Sequence, residues 1–99
     1  MAQVRWTPQA ADDLDAIAEF IARDSPHFAG LFVADILQTV DRLVDFPASG
    51  RMVPEIGEKS IHEVILGSYR IIYRRCGEAV EVLTVHHGAR LLDPKRLRQ

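Results

Sequence analysis

The 99-residue sequence is poor in cysteine, with Cys76 alone, so the chain cannot form an internal disulfide bond. No stretch approaches the ~20 apolar residues of a membrane-spanning helix, and the first residues lack the basic-then-apolar order of a secretory signal peptide. A phosphate-binding loop, metal-ligand spacing and a nucleophile–base motif are also missing from the sequence. We therefore expect a cytoplasmic protein with no cofactor, no metal and no membrane association.

Length and composition indicate one globular domain that spans residues 1–99. Apolar residues make up 47% of the chain and charged residues 26%, which is ordinary for a folded protein. The net charge of −2 hides an asymmetry, because residues 1–46 carry three basic and eight acidic side chains, whereas residues 47–99 carry nine basic and six acidic ones. A basic half is compatible with an anionic partner, either nucleic acid or an acidic protein.

The first half predicts a short strand over residues 2–6 and then two helices. Thr7 and Ser25 are each followed by proline (Pro8, Pro26), which is typical of a helix N-cap with proline in the first helical position. The second helix must end near Pro47, because proline disfavours helical geometry in the residue before it. Helices joined by one or two residues should form an antiparallel hairpin.

The second half predicts an antiparallel sheet. Gly67 begins a two-residue connection that suits a tight hairpin. The β-prone segments are a short edge strand over 51–55 and strands over 61–66, 69–75 and 79–86. The order β-α-α-β-β-β predicts an α+β fold, in which the helical hairpin packs on one face of the antiparallel sheet. Alternation along the central strand places Arg70 and Arg74 on one side with Ile72 between them. We expect this side to be the uncovered one, although the inverted assignment stays open because both sides carry apolar groups.

The chemically notable residues are basic. Six of them lie in the second half: Arg70, Arg74, Arg90, Lys95, Arg96 and Arg98. If the last strand returns near the central strand, Arg70, Arg90 and a histidine (His86 or His87) could hold a phosphate and stabilise developing negative charge. Histidine would then supply one proton-transfer role and Glu63 the other. The alternative from spacing alone is a set of solvated strand arginines.

The chain as a whole resembles the RelE/ParE superfamily of toxins from type II toxin–antitoxin modules. The segments that carry the resemblance are Val4-Arg5-Trp6-Thr7-Pro8-Gln9-Ala10, Phe46-Pro47-Ala48-Ser49-Gly50-Arg51, Val53-Pro54-Glu55, His62-Glu63, Tyr69-Arg70-Ile71-Ile72-Tyr73-Arg74 and Val85-His86-His87-Gly88-Ala89-Arg90. The resemblance implies a compact α+β toxin that a cognate antitoxin (ParD-like or similar) neutralises.

The family divides by target, and the residues favour one branch. RelE-like members cleave messenger RNA on the ribosome and use a central-strand arginine, a later arginine, lysines in the preceding strand and a C-terminal tyrosine. Arg70 and Arg90 match the two arginines, but strand 61–66 has no lysine and the tail has no tyrosine. We therefore favour the ParE-like branch, whose members inhibit DNA gyrase and are not enzymes.

The resemblance leads to specific expectations about surfaces. For the contact with target or antitoxin we select Arg70, Arg74, Arg90, Leu91, Leu92, Lys95, Arg96 and Arg98. In the alternative reading, a RelE-like endoribonuclease, Arg70 and Arg90 hold the scissile phosphate and His86 or His87 moves a proton. A third alternative is a degenerate member that binds its antitoxin but poisons nothing. We also expect an exposed apolar patch, around Leu91, Leu92 and Leu97 or on the helix pair. Direct nucleic-acid binding stays open.

Overall fold

The computed structural model describes residues 3–88, 90, 92 and 93, which form two helices and a five-stranded sheet. In chain order the elements are β1 (Gln3–Trp6), α1 (Pro8–Ala22), α2 (Pro26–Asp45), a 3-10 helix (Pro47–Ser49), β2 (Arg51–Met52), β3 (Ile61–Leu66), β4 (Tyr69–Cys76) and β5 (Ala79–His87). The predicted α+β class is confirmed, and the four strands after the helices correspond to the four predicted β-prone segments. Within the described residues no helix is long and apolar enough to cross a membrane.

Both helices begin as their sequence signals predict. The Thr7 side-chain oxygen accepts a hydrogen bond from the Ala10 N–H at 3.0 Å, and the Ser25 oxygen accepts one from the Phe28 N–H at 3.2 Å. Each cap satisfies a first-turn N–H that has no partner inside the helix. The second helix ends at Asp45, next to the expected boundary.

The sheet has the order β1-β5-β4-β3-β2 and is mixed rather than wholly antiparallel. Three neighbouring pairs are antiparallel, as expected, but β1 runs parallel to β5, with Val4 opposite Val80 and Trp6 opposite Val82. A strand's own alternation specifies which side chains share a face and not which distant strand pairs with it. Because the helical hairpin separates β1 from the other strands, local signals did not reveal its direction.

One face of the sheet packs against the helices. A cluster of buried side chains joins Leu14 and Ile36 from the helices to Ile71, Val82 and Val85 from the sheet. An extra residue in β5, opposite the step from Ile72 to Tyr73, shifts the register there. This bulge lets Val82 and Val85 enter the same cluster, whereas strict alternation would place residues three apart on opposite faces.

The other face is covered too, and here the expectation of an open, arginine-bearing face is wrong. Ile72 packs with Val53, Ile61 and Leu83 in a second apolar cluster, which the segment after β2 helps to close. The predicted edge strand over 51–55 is only two residues long as β2. Its remainder folds back over the sheet, since Val53 is fully buried. Arg70 is therefore inside the structure, with 9% of its surface exposed.

Candidate functional site

Arg70 lies at the centre of a charge network in which Arg70 and Glu63 are buried, whereas Arg51 and Glu55 are exposed. Its Nε donates to Glu63 Oε1 at 2.6 Å, and its two terminal nitrogens donate to the Glu55 carboxylate at 2.7 and 2.9 Å. The side chain of Glu63 is fully buried and also accepts a hydrogen bond from Arg51 Nε at 2.7 Å. Two carboxylates thus occupy the donor fork of Arg70, the geometry in which arginine binds carboxylates most strongly.

Strand register explains how this network forms. Arg51 and Glu63 are direct partners across β2 and β3, and Arg70 faces Ile65 across β3 and β4, which makes Glu63 its diagonal neighbour on the same face. Glu55 comes from the segment that follows β2. The network therefore ties four consecutive parts of the chain together: β2, the segment after it, β3 and β4.

The charges in the network perturb one another. The hydrogen bond from Arg70 lowers the pKa of Glu55 from 4.5 to about 2, against a smaller desolvation effect that raises it. The hydrogen bond to Glu55 likewise raises the pKa of Arg70 above its ordinary value. Both shifts favour the charged forms, so the ion pair persists across physiological pH.

The second predicted arginine on this strand is also paired. Arg74 Nη1 lies 3.7 Å from a carboxylate oxygen of Glu81 on β5. Both side chains are about 30% exposed, so the pair contributes little to stability. The structure does not bring Arg74 to the Arg70 network.

The remaining predicted residues of the described chain line a separate cleft between α1 and the end of β5. Its volume is about 460 Å³, and its wall includes His86, His87, Arg90 and Leu92. The Arg90 N–H donates to the His87 carbonyl at 3.0 Å, and His86 Nε2 lies 3.0 Å from the Arg90 carbonyl oxygen. His86, His87 and Arg90 thus share one cleft wall, whereas Arg70 is the strand partner of His86 but does not line this cleft.

Four of the predicted contact residues, Leu91, Lys95, Arg96 and Arg98, lie outside the described residues, as does Leu97 from the expected apolar patch. The alternative place for that patch, the helix pair, does expose large apolar side chains. Phe20 is 64% exposed and Phe28 63%, and Leu31 and Leu37 are about half exposed. Both helices therefore contribute exposed apolar side chains, Phe20 from α1 and the other three from α2.

Sequence reasoning missed the partners that determine what Arg70 can do. Neither Glu55 nor Arg51 was selected, and Glu63 was considered only for proton transfer. A signal for one contact was present, since opposite charges at Arg51 and Glu63 would suit strand partners. Asp13 was also missed; its carboxylate accepts a hydrogen bond from the buried hydroxyl of Thr84 in the cleft wall.

Comparison with known proteins identifies the family. The model of the ParE toxin of the type II toxin–antitoxin system parDE matches residues 4–92. The chain belongs to the ParE toxin family. It is thus a toxin of the ParE/RelE superfamily of type II toxin–antitoxin systems, as the resemblance predicted.

Individual relatives agree with this assignment. The chain is 41% identical over 88 residues to the protein Y4kP of Sinorhizobium fredii, covering 87% of this chain and 88% of the relative. It is 33% identical over 92 residues to toxin RelE2 of Caulobacter vibrioides, covering 92% and 100%. One of these two relatives is thus named for the RelE branch.

Solved structures show the same fold. The chromosomal ParDE toxin–antitoxin system from P. aeruginosa matches with a TM-score of 0.72 and 26% identity, over 88% of this chain and 96% of that one. The RelBE2 complex from Mycobacterium tuberculosis matches with a TM-score of 0.58 and 23% identity, over 87% and 96%.

Proposed function

We propose that this ParE-family toxin inhibits DNA gyrase in the cytoplasm, acts as a binding protein rather than an enzyme, and is neutralised by a cognate antitoxin. The match to the ParE family model over most of the chain supports the branch, and the ParDE system among the structural neighbours supports an antitoxin partner.

The observation that carries the proposal is that the Arg70 guanidinium is already paired with two carboxylates of the same chain. Ribonuclease action of the RelE type requires its central-strand arginine to hold a phosphate. Here the guanidinium donates to two carboxylates and its side chain is only 11% exposed. A phosphate would have to displace Glu55 and approach the buried charge of Glu63, which repels it. Arg70 is thus better suited to holding the fold than to holding RNA.

A gyrase supercoiling assay tests the proposal. Purified toxin is added to bacterial DNA gyrase and relaxed plasmid, and the products are separated with and without detergent and protease. We expect loss of supercoiling together with cleaved DNA that stays bound to gyrase. Toxin preincubated with its antitoxin is the control and should leave supercoiling intact. If excess toxin neither slows supercoiling nor traps cleaved DNA, gyrase is not the target.

One set of observations favours ribosome-dependent cleavage of messenger RNA as a second candidate. Arg90 and His86 lie together, and one relative carries the name RelE2. Primer extension on messenger RNA from cells that express the toxin would show codon-phased cuts, and these should disappear in an Arg90→Ala, His86→Ala variant. A toxin that does not slow growth after induction would fit neither candidate and would indicate a degenerate member.

A further inference from the structure

A shallow pocket lies beside the Arg70 guanidinium, at the end of the sheet where β3 turns into β4. Its volume is about 470 Å³, and its walls include the small residues Gly67, Ser68 and Gly88. Both Arg51 and Arg70 line it as well. The pocket therefore places two guanidinium groups beside a space that is large enough for a small ligand.

One residue, Glu55, balances the charge of this pocket. Arg51 and Arg70 carry two positive charges, and the buried carboxylate of Glu63 offsets one of them by accepting from their Nε atoms at 2.7 and 2.6 Å. Glu55 offsets the other, and it is the only acidic residue among the described residues that line the pocket. Without Glu55 the pocket would carry a net positive charge.

Glu55 occupies Arg70 in the way that an oxyanion ligand would. Its two carboxylate oxygens accept from the two terminal nitrogens of Arg70 at 2.7 and 2.9 Å, the paired geometry that arginine also uses for phosphate. Glu63, in contrast, accepts only from the Arg70 Nε and is fully buried. The Glu55 side chain is 39% exposed, so it reaches Arg70 from the solvent side.

The segment that carries Glu55 has anchors other than this ion pair. Val53 is fully buried, and Ile56 packs against the same apolar cluster. The N–H groups of Ile56 and Gly57 both donate to the Val53 carbonyl, at 3.1 and 2.9 Å, which closes a turn around Glu55. A change at Glu55 alone should therefore leave the segment in place.

We propose that Arg70 and Arg51 form a binding site for a tetrahedral oxyanion, such as a phosphate group, and that Glu55 keeps this site closed by occupying it. The inference rests on the proposed function, in which Arg70 does not hold RNA, and assigns that exclusion to a single side chain. Arg70 chiefly, and Arg51 to a lesser extent, lower the pKa of Glu55, so both positive charges lie close to its carboxylate. Within the described residues only the Nε of Arg51 is engaged, which leaves its terminal nitrogens for an anion. The charge of Glu63, which would repel an anion, is offset by both Nε atoms.

Titration with inorganic phosphate tests the proposal. The arginine Nε–Hε signals of the full-length toxin are followed by two-dimensional NMR, with sodium chloride of equal ionic strength as the reference. We expect Glu55→Ala to bind phosphate about tenfold more tightly than wild type, or better, with a shift of the Arg70 signal. Glu55→Gln keeps the size of the side chain and should gain less, since its carbonyl oxygen still accepts from one nitrogen.

Two controls separate an oxyanion site from a general effect of charge or stability. Glu58→Ala removes a carboxylate from the same segment, outside the pocket, and should bind phosphate as wild type does. Adding Arg70→Lys to Glu55→Ala keeps the positive charge but removes the two-nitrogen fork, so the affinity should return to within about twofold of wild type. Loss of a merely structural salt bridge would lower stability without creating phosphate binding.

The proposal is wrong if Glu55→Ala binds phosphate no better than wild type, if Glu58→Ala gains as much, or if the shifts lie on arginines other than Arg51 and Arg70. Should Glu55→Ala fail to fold, Glu55→Gln decides the question by the same comparison. None of these measurements involves gyrase. A negative supercoiling assay would therefore reject the proposed function and leave the closed site in place, whereas absence of phosphate binding would remove the site and leave gyrase as the target.

Discussion

Replacing Glu63 with glutamine should destabilise the toxin strongly, although the two side chains have nearly the same shape. The Glu63 carboxylate is fully buried and accepts hydrogen bonds from both Arg51 and Arg70. A glutamine offers one acceptor oxygen and turns an N–H₂ group toward the other arginine. That change removes the charge that compensates Arg70 and juxtaposes two donors in a buried site.

The size of the expected destabilisation depends on how exposed the partners of Glu63 are. Removing one partner of a buried ion pair costs about 3–5 kcal/mol. Arg70 keeps its bidentate contact with Glu55, which reduces this figure, and the pair with Arg51 adds little because that side chain is 66% exposed. We therefore expect Glu63→Gln to lower the free energy of unfolding by about 2–4 kcal/mol, out of a total of about 5–15 kcal/mol for a typical domain.

Urea unfolding followed by the fluorescence of Trp6 measures the effect, since this is the chain's only tryptophan and it packs against the helix-side cluster. Arg51→Gln is the matched control, because it breaks the exposed arm of the same network and should cost less than about 1 kcal/mol. The double variant Glu63→Leu, Arg70→Met should cost less than the sum of its single changes, since it leaves neither of these two charges in the buried site. If Glu63→Gln destabilises no more than Arg51→Gln, the buried network does not hold the fold together.

Three further changes test other parts of the structure. Thr7→Ala removes the N-cap of α1 and should lower the free energy of unfolding by about 1 kcal/mol in urea titrations; a neutral result would mean that solvent replaces the cap. Gly50→Ala should destabilise by about 2 kcal/mol or more in the same assay, since a Cβ there would lie 2.6 Å from the Glu63 carbonyl oxygen, a backbone atom that cannot move aside. Because Arg70 lowers the pKa of Glu55 to about 2, the stability from this pair is fully present above pH 4.5 and is lost as the pH falls toward 2. With 39% of the Glu55 side chain exposed, about 1 kcal/mol is expected, and Glu55→Gln should remove that part of the acid dependence.

Most of the secondary structure was predictable because its causes are local. The caps at Thr7 and Ser25 start the helices at the expected residues, and Pro47 marks the end of α2. Gly67 adopts a positive φ of 59°, which is why the turn between β3 and β4 could be placed from its glycine. The parallel pairing of β1 and the bulge opposite Ile72 depend on contacts between distant segments, so no local pattern indicated them.

The candidate cleft also has one part that follows from the local sequence and one part that depends on tertiary packing. The convergence of His86, His87 and Arg90 was predictable since the three lie within five residues at one strand end. The cleft wall from α1, with Phe20 and Arg23, was not, because it depends on how the helix crosses the sheet.

Arg70 matches the central-strand arginine of the RelE-like members in position but not in its chemical surroundings. A motif match specifies that a guanidinium stands at a certain strand position, but its ability to bind phosphate depends on which anions the fold has already placed around it. Here the chain supplies two carboxylates: Glu63 from the neighbouring strand, and Glu55 from the segment that covers the sheet face opposite the helices. An arginine so placed stabilises the sheet, and under the proposed function the toxin acts through other surfaces. Phe20 and Arg90 are exposed and line the cleft, so they are accessible to another molecule where Arg70 is not.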